Sequence, residues 1–350
     1  LSIVRRVPTL IVSDLHLGQR PGHDVLRQAE PLQRLLDALT DVDRLVLLGD
    51  VVELALRRHR GTPLKVAAPI LRALGERMGS EREIVLVPGN HDATLVRAWA
   101  LARGRSLGFS DEVPPDVTPA LAEIVELLAP ARVCVRYPGL WVREDVWATH
   151  GHYLDRHLVP ESTFGLPRSR LARGRTPEPT AAAIDYERAR RRRQSRSEGL
   201  WAELTQRPLA VGLEHLAELT RYGTFLLRGI HLTSLTARLL DLQVRHAAVP
   251  ALVEAAGRLG IDAPVIVFGH VHRAGPDPGG VWQPRLSGPR LYNAGSWLYE
   301  PLLLDHASPP HPYWPGGAVL VPDAGEPRVL RLLDDLPGEQ LARGSRARDR

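Results

Sequence analysis

Only one cysteine, Cys134, stands among the 350 residues. That excludes an internal disulfide framework and suits a reducing cytosol. Long apolar runs are missing as well: no uncharged stretch approaches the ~18 residues that a membrane span requires, which excludes a membrane-spanning helix and predicts a soluble chain. There is no sign of a secretory signal, because Arg5 and Arg6 lead into a strand-like run with no small-residue cleavage site. Lysine is almost absent. Lys65 is the only one, and the other 44 Lys/Arg cations are arginines. A net charge of +5 and a pI near 9.8 suggest nucleic-acid binding at first sight. An arginine bias on this scale is better read as the mark of a GC-rich genome than as phosphate reading across the whole surface.

What is present is an ordinary globular composition, 44% hydrophobic, at a length that allows two domains or one large α/β domain with an insertion. Short apolar runs predict strands at Val7 to Val12, Leu45 to Leu48, Ile84 to Val87, Val133 to Val135, Val146 to Thr149, Val265 to Phe268, Leu291 to Asn293 and Ala318 to Val321. Helical spacing joins Leu32, Leu35, Leu36 and Leu39, and again Val66, Ile70, Leu71 and Leu74. Thr118-Pro119 is a helix start with proline in the first turn, ahead of Leu121, Ile124, Val125 and Leu128. Alternating strand and helix patterns in the first half, with strands dominating the end, predict two packed sheets flanked by helices.

Residues 153–263 change character, to about 110 residues of helix-forming composition. The chain thus divides into a core in two parts, 1–152 and 264–337, a helical cap insertion, and a disordered tail at 338–350. The insertion carries a dense basic run, Arg188, Arg190, Arg191, Arg192, Arg193 and Arg196, and an apolar series, Leu226, Leu227, Ile230, Leu235, Leu239 and Leu242. A solvated basic face over a self-packed helical unit is the plainer reading. The functional one is a cap that holds an anionic ligand or meets a membrane surface. Gly- and Pro-rich stretches at 274–289 and 308–317 read as loops near the site.

Five polar clusters follow the apolar runs: Ser13-Asp14-Leu15-His16, Gly49-Asp50-Val51-Val52-Glu53, Gly89-Asn90-His91-Asp92, Thr149-His150-Gly151-His152 and Gly269-His270-Val271-His272. Strand ends of one sheet converge, so residues far apart in sequence can meet at one rim. Carboxylates, imidazoles and an amide oxygen with no thiolate favour a divalent ion such as Mn, Fe, Zn or Ni over a structural Cys-rich zinc site. Asp50 is the natural bridge, since one carboxylate can serve two cations. Asn90 adds a neutral oxygen. Two cations ~3.5–4 Å apart can activate a water between them and clamp phosphoryl oxygens during in-line displacement.

With these residues the chain resembles the calcineurin-like metallophosphoesterase superfamily, whose ordered signature is D-x-H, G-D-x-x-D/E, G-N-H-D/E, H and G-H-x-H. All five elements are unbroken from Asp14 to His272. The resemblance implies a four-layer α/β/β/α sandwich and two ions, one held by Asp14, His16, Asp50 and His272 and the other by Asp50, Asn90, His150 and His270. It also implies that His91 is the acid that protonates the leaving oxygen, oriented by Glu53, with Asp92 supporting the site. The segment from Tyr292 to Trp297 looks like the family's Asn-x-Gly-Ser turn and makes Asn293 and Ser296 candidate substrate contacts, although buttressing is the stronger expectation. Within the superfamily, the motifs look nearest to bacterial UDP-2,3-diacylglucosamine pyrophosphohydrolase-like enzymes. The chain departs from these in having His91 where arginine is favoured and in its longer insertion.

The resulting expectation is a cytoplasmic, manganese-favouring hydrolase of phosphate esters or pyrophosphates, with peripheral membrane contact left open. Its substrate would be a phosphorylated small molecule or lipid-linked compound drawn in by the excess of cation, with Arg190 to Arg193 as candidate contacts. A nuclease or cyclic-nucleotide phosphodiesterase is the alternative with the same metal chemistry, and an inactive scaffold is the alternative of another class. His152 stays open between supporting the site and filling the position after Gly151. His23, His59, His157, His215, His231, His246, His306 and His311 read as surface or core residues, and Cys134 as a small buried group.

Overall fold

Four-residue apolar runs bounded by turns set the architecture. The computed structural model describes residues 7–19, 23–55, 62–159, 166–167, 180–196, 232–284 and 288–342. Its strands are β1 (Thr9–Val12), β2 (Arg44–Leu47), β3 (Glu83–Leu86), β4 (Asp111–Glu112), β5 (Arg132–Tyr137), β6 (Gly139–Arg143), β7 (Val146–Thr149), β8 (Leu158–Val159), β9 (Leu166–Pro167), β10 (Val265–Phe268), β11 (Arg290–Asn293), β12 (Gly317–Val321) and β13 (Arg328–Arg331). Its helices are α1 (Ala29–Ala38), α2 (Thr62–Met78), α3 (Arg97–Arg103), α4 (Pro119–Leu127), α5 (Ala183–Arg196), α6 (Leu232–Gln243), α7 (Val249–Leu259), α8 (Pro301–Leu304) and α9 (Gly338–Leu341). As Thr118-Pro119 implies, α4 is capped: Thr118 Oγ1 accepts the Leu121 amide at 3.3 Å.

The strands form a seven-stranded sheet in the order β13-β12-β1-β2-β3-β5-β4 and a four-stranded sheet in the order β11-β10-β7-β6. β1, β2, β3 and β5 run parallel, as do β7, β10 and β11. Successive side chains on a strand point to opposite faces, and both faces of each sheet are covered. Ile11, Val46 and Val85 of the large sheet meet Val146, Ala148, Val265 and Val267 of the small one between the sheets. The alternate residues Leu10, Val12, Leu45, Leu47, Ile84 and Leu86 face Leu35 of α1, Leu71 of α2 and Leu121 and Ile124 of α4. On the far side, Trp147, Ile266, Phe268 and Leu291 pack against Val249, Leu252 and Ala256 of α7. The layers are therefore helix, sheet, sheet, helix, and burial on both faces explains why the strands read as unbroken apolar runs rather than alternating ones.

α7 lies inside the 153–263 segment expected as a cap insertion, and it forms the outer layer of the small sheet. The tail expected to be disordered from residue 338 instead opens with α9, where Leu341 is buried and its carbonyl accepts a 2.8 Å bond from Gln28 Nε2. Residues 343–350 lie outside the described residues. So do Leu226, Leu227 and Ile230, and the side chains of Arg190 to Arg193 and Leu235. β6 is not apparent from the sequence, because Gly139 and Arg143 leave an apolar run of only three residues between them, and antiparallel pairing with β7 supplies the order. Among the described residues, no helix is long and apolar enough to cross a membrane.

The layering predicts unequal responses to truncation. Ile11→Ala, between the sheets, should cost about 2–5 kcal/mol in denaturant unfolding. Leu239→Ala on α6, where the native side chain is 58% exposed, should stay within about 0.5 kcal/mol.

Candidate metal centre

Parallel strands place their carboxyl ends on one rim, and the polar clusters begin there. Asp14 and His16 follow β1, Asp50 and Glu53 follow β2, Asn90, His91 and Asp92 follow β3, His150 follows β7, and His270 and His272 follow β10. The loops are sewn together by backbone bonds, Asp14 N to Gly49 O at 3.1 Å, His16 N to Asp50 O at 2.8 Å and Gly269 N to His150 O at 3.0 Å. Five of the metal-type residues, Asp14, His16, Asp50, His270 and His272, have φ between 44° and 71°. Non-glycine residues seldom adopt this left-handed region, and such strain concentrates at functional sites. The turn before Asp50 needs glycine: Gly49 has φ +84°, and a Cβ there would enter the His150 ring.

The side chains converge as two donor groups, Asp14 with His16 and His272, and Asp50 with His150 and His270. In the first, His272 Nε2 lies 3.3 Å from Asp14 Oδ1 and 3.2 Å from His16 Nε2. In the second, His150 Nε2 lies 3.2 Å from Asp50 Oδ2 and 3.0 Å from Asn90 Oδ1. The seven residues expected to hold metal are thus brought together. The donors are oxygen and imidazole nitrogen, which suits a divalent cation. A further sign of fit is Asp14 Oδ1, which is buried and accepts no hydrogen bond.

The electrostatics point the same way. Burial favours neutral imidazole at His16, but the neighbouring Asp14 carboxylate, the hydrogen bond to Glu53 and the charge of Asp50 raise it to about 10. Burial likewise opposes the charge on His150, and Asp50 and Asp14 lift it to about 9. Burial resists ionisation of Asp14 and Asp50 too, yet the surrounding imidazoles hold both carboxyls far below the usual carboxylate range. The cage therefore stabilises positive charge strongly, and a divalent ion entering it would displace protons from the imidazoles.

The supporting residues differ in part from expectation. Glu53 orients His91, with Oε1 2.9 Å from Nδ1, and it also holds His16, with Oε2 3.2 Å from Nδ1. Burial raises the Glu53 carboxyl, but these two hydrogen bonds outweigh that and bring it to about 2. Asp92 is buried and braces the loops, accepting Val51 N at 2.8 Å and Gly89 N at 2.5 Å, so it holds the site together rather than reaching substrate. Burial and the neighbouring Asp50 charge push its carboxyl up to about 6. Asn293 and Ser296, the candidate substrate contacts, are both buried, and the Asn293 amide bonds Gly269 O at 2.7 Å and Gly295 N at 2.8 Å. His152 packs beside the His150 and Tyr153 rings, with centroids 5.6 and 4.8 Å away. The motifs miss Asp155, whose Oδ1 lies 3.1 Å from His270 Nε2. It falls in a turn five residues after His150, where no sequence pattern marks it.

A two-sheet α/β sandwich with histidine, aspartate and asparagine donors gathered on one strand-end rim defines a metal-dependent hydrolase. The calcineurin-like phosphoesterase family model matches residues 7–274, and the chain belongs to that family. It is a metal-dependent phosphoester hydrolase. Among solved structures, it is similar to a cold-active protein-tyrosine phosphatase of a psychrophilic Shewanella species, at 14% identity over 93% of this chain and 80% of that one, with a TM-score of 0.31. A search of curated proteins finds no match.

The Gly49 turn yields a direct check. Gly49→Ala should sharply lower the metal content found by elemental analysis, because its Cβ displaces the His150 ring. Gly79→Ala, at φ +64° with nothing within 4 Å, should cost only about 1–2 kcal/mol of backbone strain and leave metal content intact.

Proposed function

We propose that the chain is a two-ion phosphoesterase in which Asp50 bridges the ions and His91 protonates the leaving oxygen. The observation that carries this reading is the position of Asp50 Oδ2, 3.8 Å from His16 Nε2 and 3.2 Å from His150 Nε2. One oxygen thus faces both donor groups. The reading assigns Asp14, His16, Asp50 and His272 to one ion and Asp50, Asn90, His150 and His270 to the other. Divalent ions, with Mn favoured and Fe, Zn or Ni also suited, supply charge that polarises phosphoryl oxygens and makes water nucleophilic at neutral pH.

The chain's own side chains do the rest. The His91 side chain is 35% exposed, enough to reach a bound substrate, while buried Glu53 fixes its Nδ1. Its Nε2 is then the nitrogen turned toward the donor groups, 4.0 Å from Asp50 Oδ2. A proton carried there can pass to the departing oxygen, with the Glu53 carboxylate fixing the orientation of the ring. The substrate class is a phosphorylated small molecule, which Arg190, Arg191, Arg192 and Arg193 of α5 help attract. A lipid-linked or nucleotide-sugar pyrophosphate is the narrower form of this reading, supported by the Ser13–Gly18 and Asn293–Trp297 motifs.

Turnover with Mn separates these possibilities across p-nitrophenyl phosphate, its bis ester, a UDP-sugar pyrophosphate, cyclic nucleotides and single-stranded DNA. Fastest turnover of the pyrophosphate supports the narrower form, while activity confined to nucleic acid or cyclic nucleotides overturns the small-molecule class.

Asp50→Asn should weaken both ions, whereas His16→Ala should chiefly weaken one. Two full equivalents retained by purified Asp50→Asn protein would sink the bridge. His91→Asn should keep both ions and lose about 10²–10⁴-fold in kcat on alkyl esters. The loss on p-nitrophenyl esters should be much smaller, since that leaving group needs little protonation. Equal losses on the two ester types would give His91 another role.

A further inference from the structure

Three histidines of the two donor groups turn one ring nitrogen to an oxygen of the protein. His16 Nδ1 lies 3.2 Å from Glu53 Oε2, and His150 Nδ1 lies 3.0 Å from the Leu48 carbonyl. Both therefore present Nε2 to the centre. His270 is reversed. Its Nε2 lies 3.1 Å from Asp155 Oδ1. An imidazole nitrogen that carries a proton toward a carboxylate has no lone pair to offer, so ligation by His270 falls to Nδ1.

The placement of Asp155 is firm. It stands in the short helix His152–His157, which begins directly after Gly151 and follows the donor His150. Leu154, its neighbour, is buried in the cluster that includes α7. Tyr153 donates to Glu187 of α5 at 2.7 Å, His157 Nε2 meets the Tyr186 hydroxyl at 2.8 Å, and Arg156 donates to the Asp185 carbonyl at 2.9 Å. One short helix directly after a donor thus holds a carboxylate against a second donor more than a hundred residues later. The His270 backbone is pinned as well, in a left-handed conformation with its amide 2.9 Å from Asp14 Oδ2.

We infer that Asp155 is a positioning residue that fixes His270 as its Nε2–H tautomer and so directs Nδ1 to the ion beside Asp50 and His150. This rests on the two-ion reading above. Removal of such a partner typically lowers metal affinity about 10–100-fold. Because Asp155 acts on one ligand only, the loss belongs to one ion.

The test is calorimetric titration of chelator-treated, full-length protein with Mn²⁺ alone, read beside near-ultraviolet circular dichroism. Wild type should show two binding events. Asp155→Ala should weaken one of them about 10–100-fold and leave the other unchanged. Asp155→Asn, whose amide oxygen can still accept from Nε2, should recover most of that loss. In the zinc-loaded wild type, nitrogen NMR should report ligation through Nδ1 at His270 and through Nε2 at His16 and His150. Unchanged affinities in a folded Asp155→Ala protein, an Asn variant as weak as the Ala variant, or Nε2 ligation at His270 would each overturn the inference. Wild type that takes up no ion would overturn the two-ion reading itself, and this inference with it.

Discussion

The bond from the His270 amide to Asp14 Oδ2, 2.9 Å long and buried, is the constraint on which the centre depends. Asp14 ends a strand of the large sheet and His270 ends a strand of the small one, so this contact closes the rim where the two sheets meet. Ser13 Oγ reinforces it, donating to the same Asp14 oxygen at 2.7 Å. The other oxygen of Asp14 is left without a hydrogen bond and faces His272. One carboxylate is thereby divided, half for holding the sheets in register and half for a cation. Close approach of the two loops requires a residue without a side chain before His270, and Gly269 is that residue: a Cβ there would run into Ser13 and Asp14.

Much of this was legible in the sequence because the signals are local. Each donor follows a buried strand by one to a few residues, and a strand that is apolar without alternation announces burial on both faces. What could not be read are contacts made across the fold. Asp155 meets His270 only because the turn after β7 and the end of β10 lie side by side, and no spacing in the chain encodes that. Glu53 was legible as a partner of His91 but not of His16, since nothing in G-D-x-x-E indicates that the carboxylate sits between two imidazoles. α7 was hidden for another reason: its helical pattern continues that of α6 across the wide turn Val244–Ala248, so composition does not separate a core helix from the insertion before it.

The insertion is joined to the centre through polar contacts that its sequence gives no hint of. Glu187 of α5 is buried and accepts from Tyr137 at 2.5 Å and Tyr153 at 2.7 Å. An unpaired buried carboxylate would be costly, and the two hydroxyls make this position specific. On the opposite side, Arg273, which directly follows the donor His272, is buried. Its guanidinium bonds to Asp241 of α6 and to Asp277 at 2.7 Å, and stacks 4.7 Å from the Trp282 ring. Helices from the inserted segment are thus fastened next to His150 at one point and next to His272 at another.

These fastenings bear on backbone strain. Five left-handed non-glycine residues at one rim represent about 1–3 kcal/mol each. Together that is comparable with the whole ~5–15 kcal/mol net stability of a typical domain. Such a rim persists only if the surroundings determine it more strongly than it resists. Three buried apolar layers supply that determination, since fully burying a large aliphatic side chain contributes about 1.5–3 kcal/mol, and dozens are buried across the two sheets. The imidazoles of the rim hold its buried carboxylates ionised, so a cation entering there would meet charge already placed for it. A rigid sandwich of this kind holds the donors converged before the ion arrives, which leaves less ordering to be done when it binds.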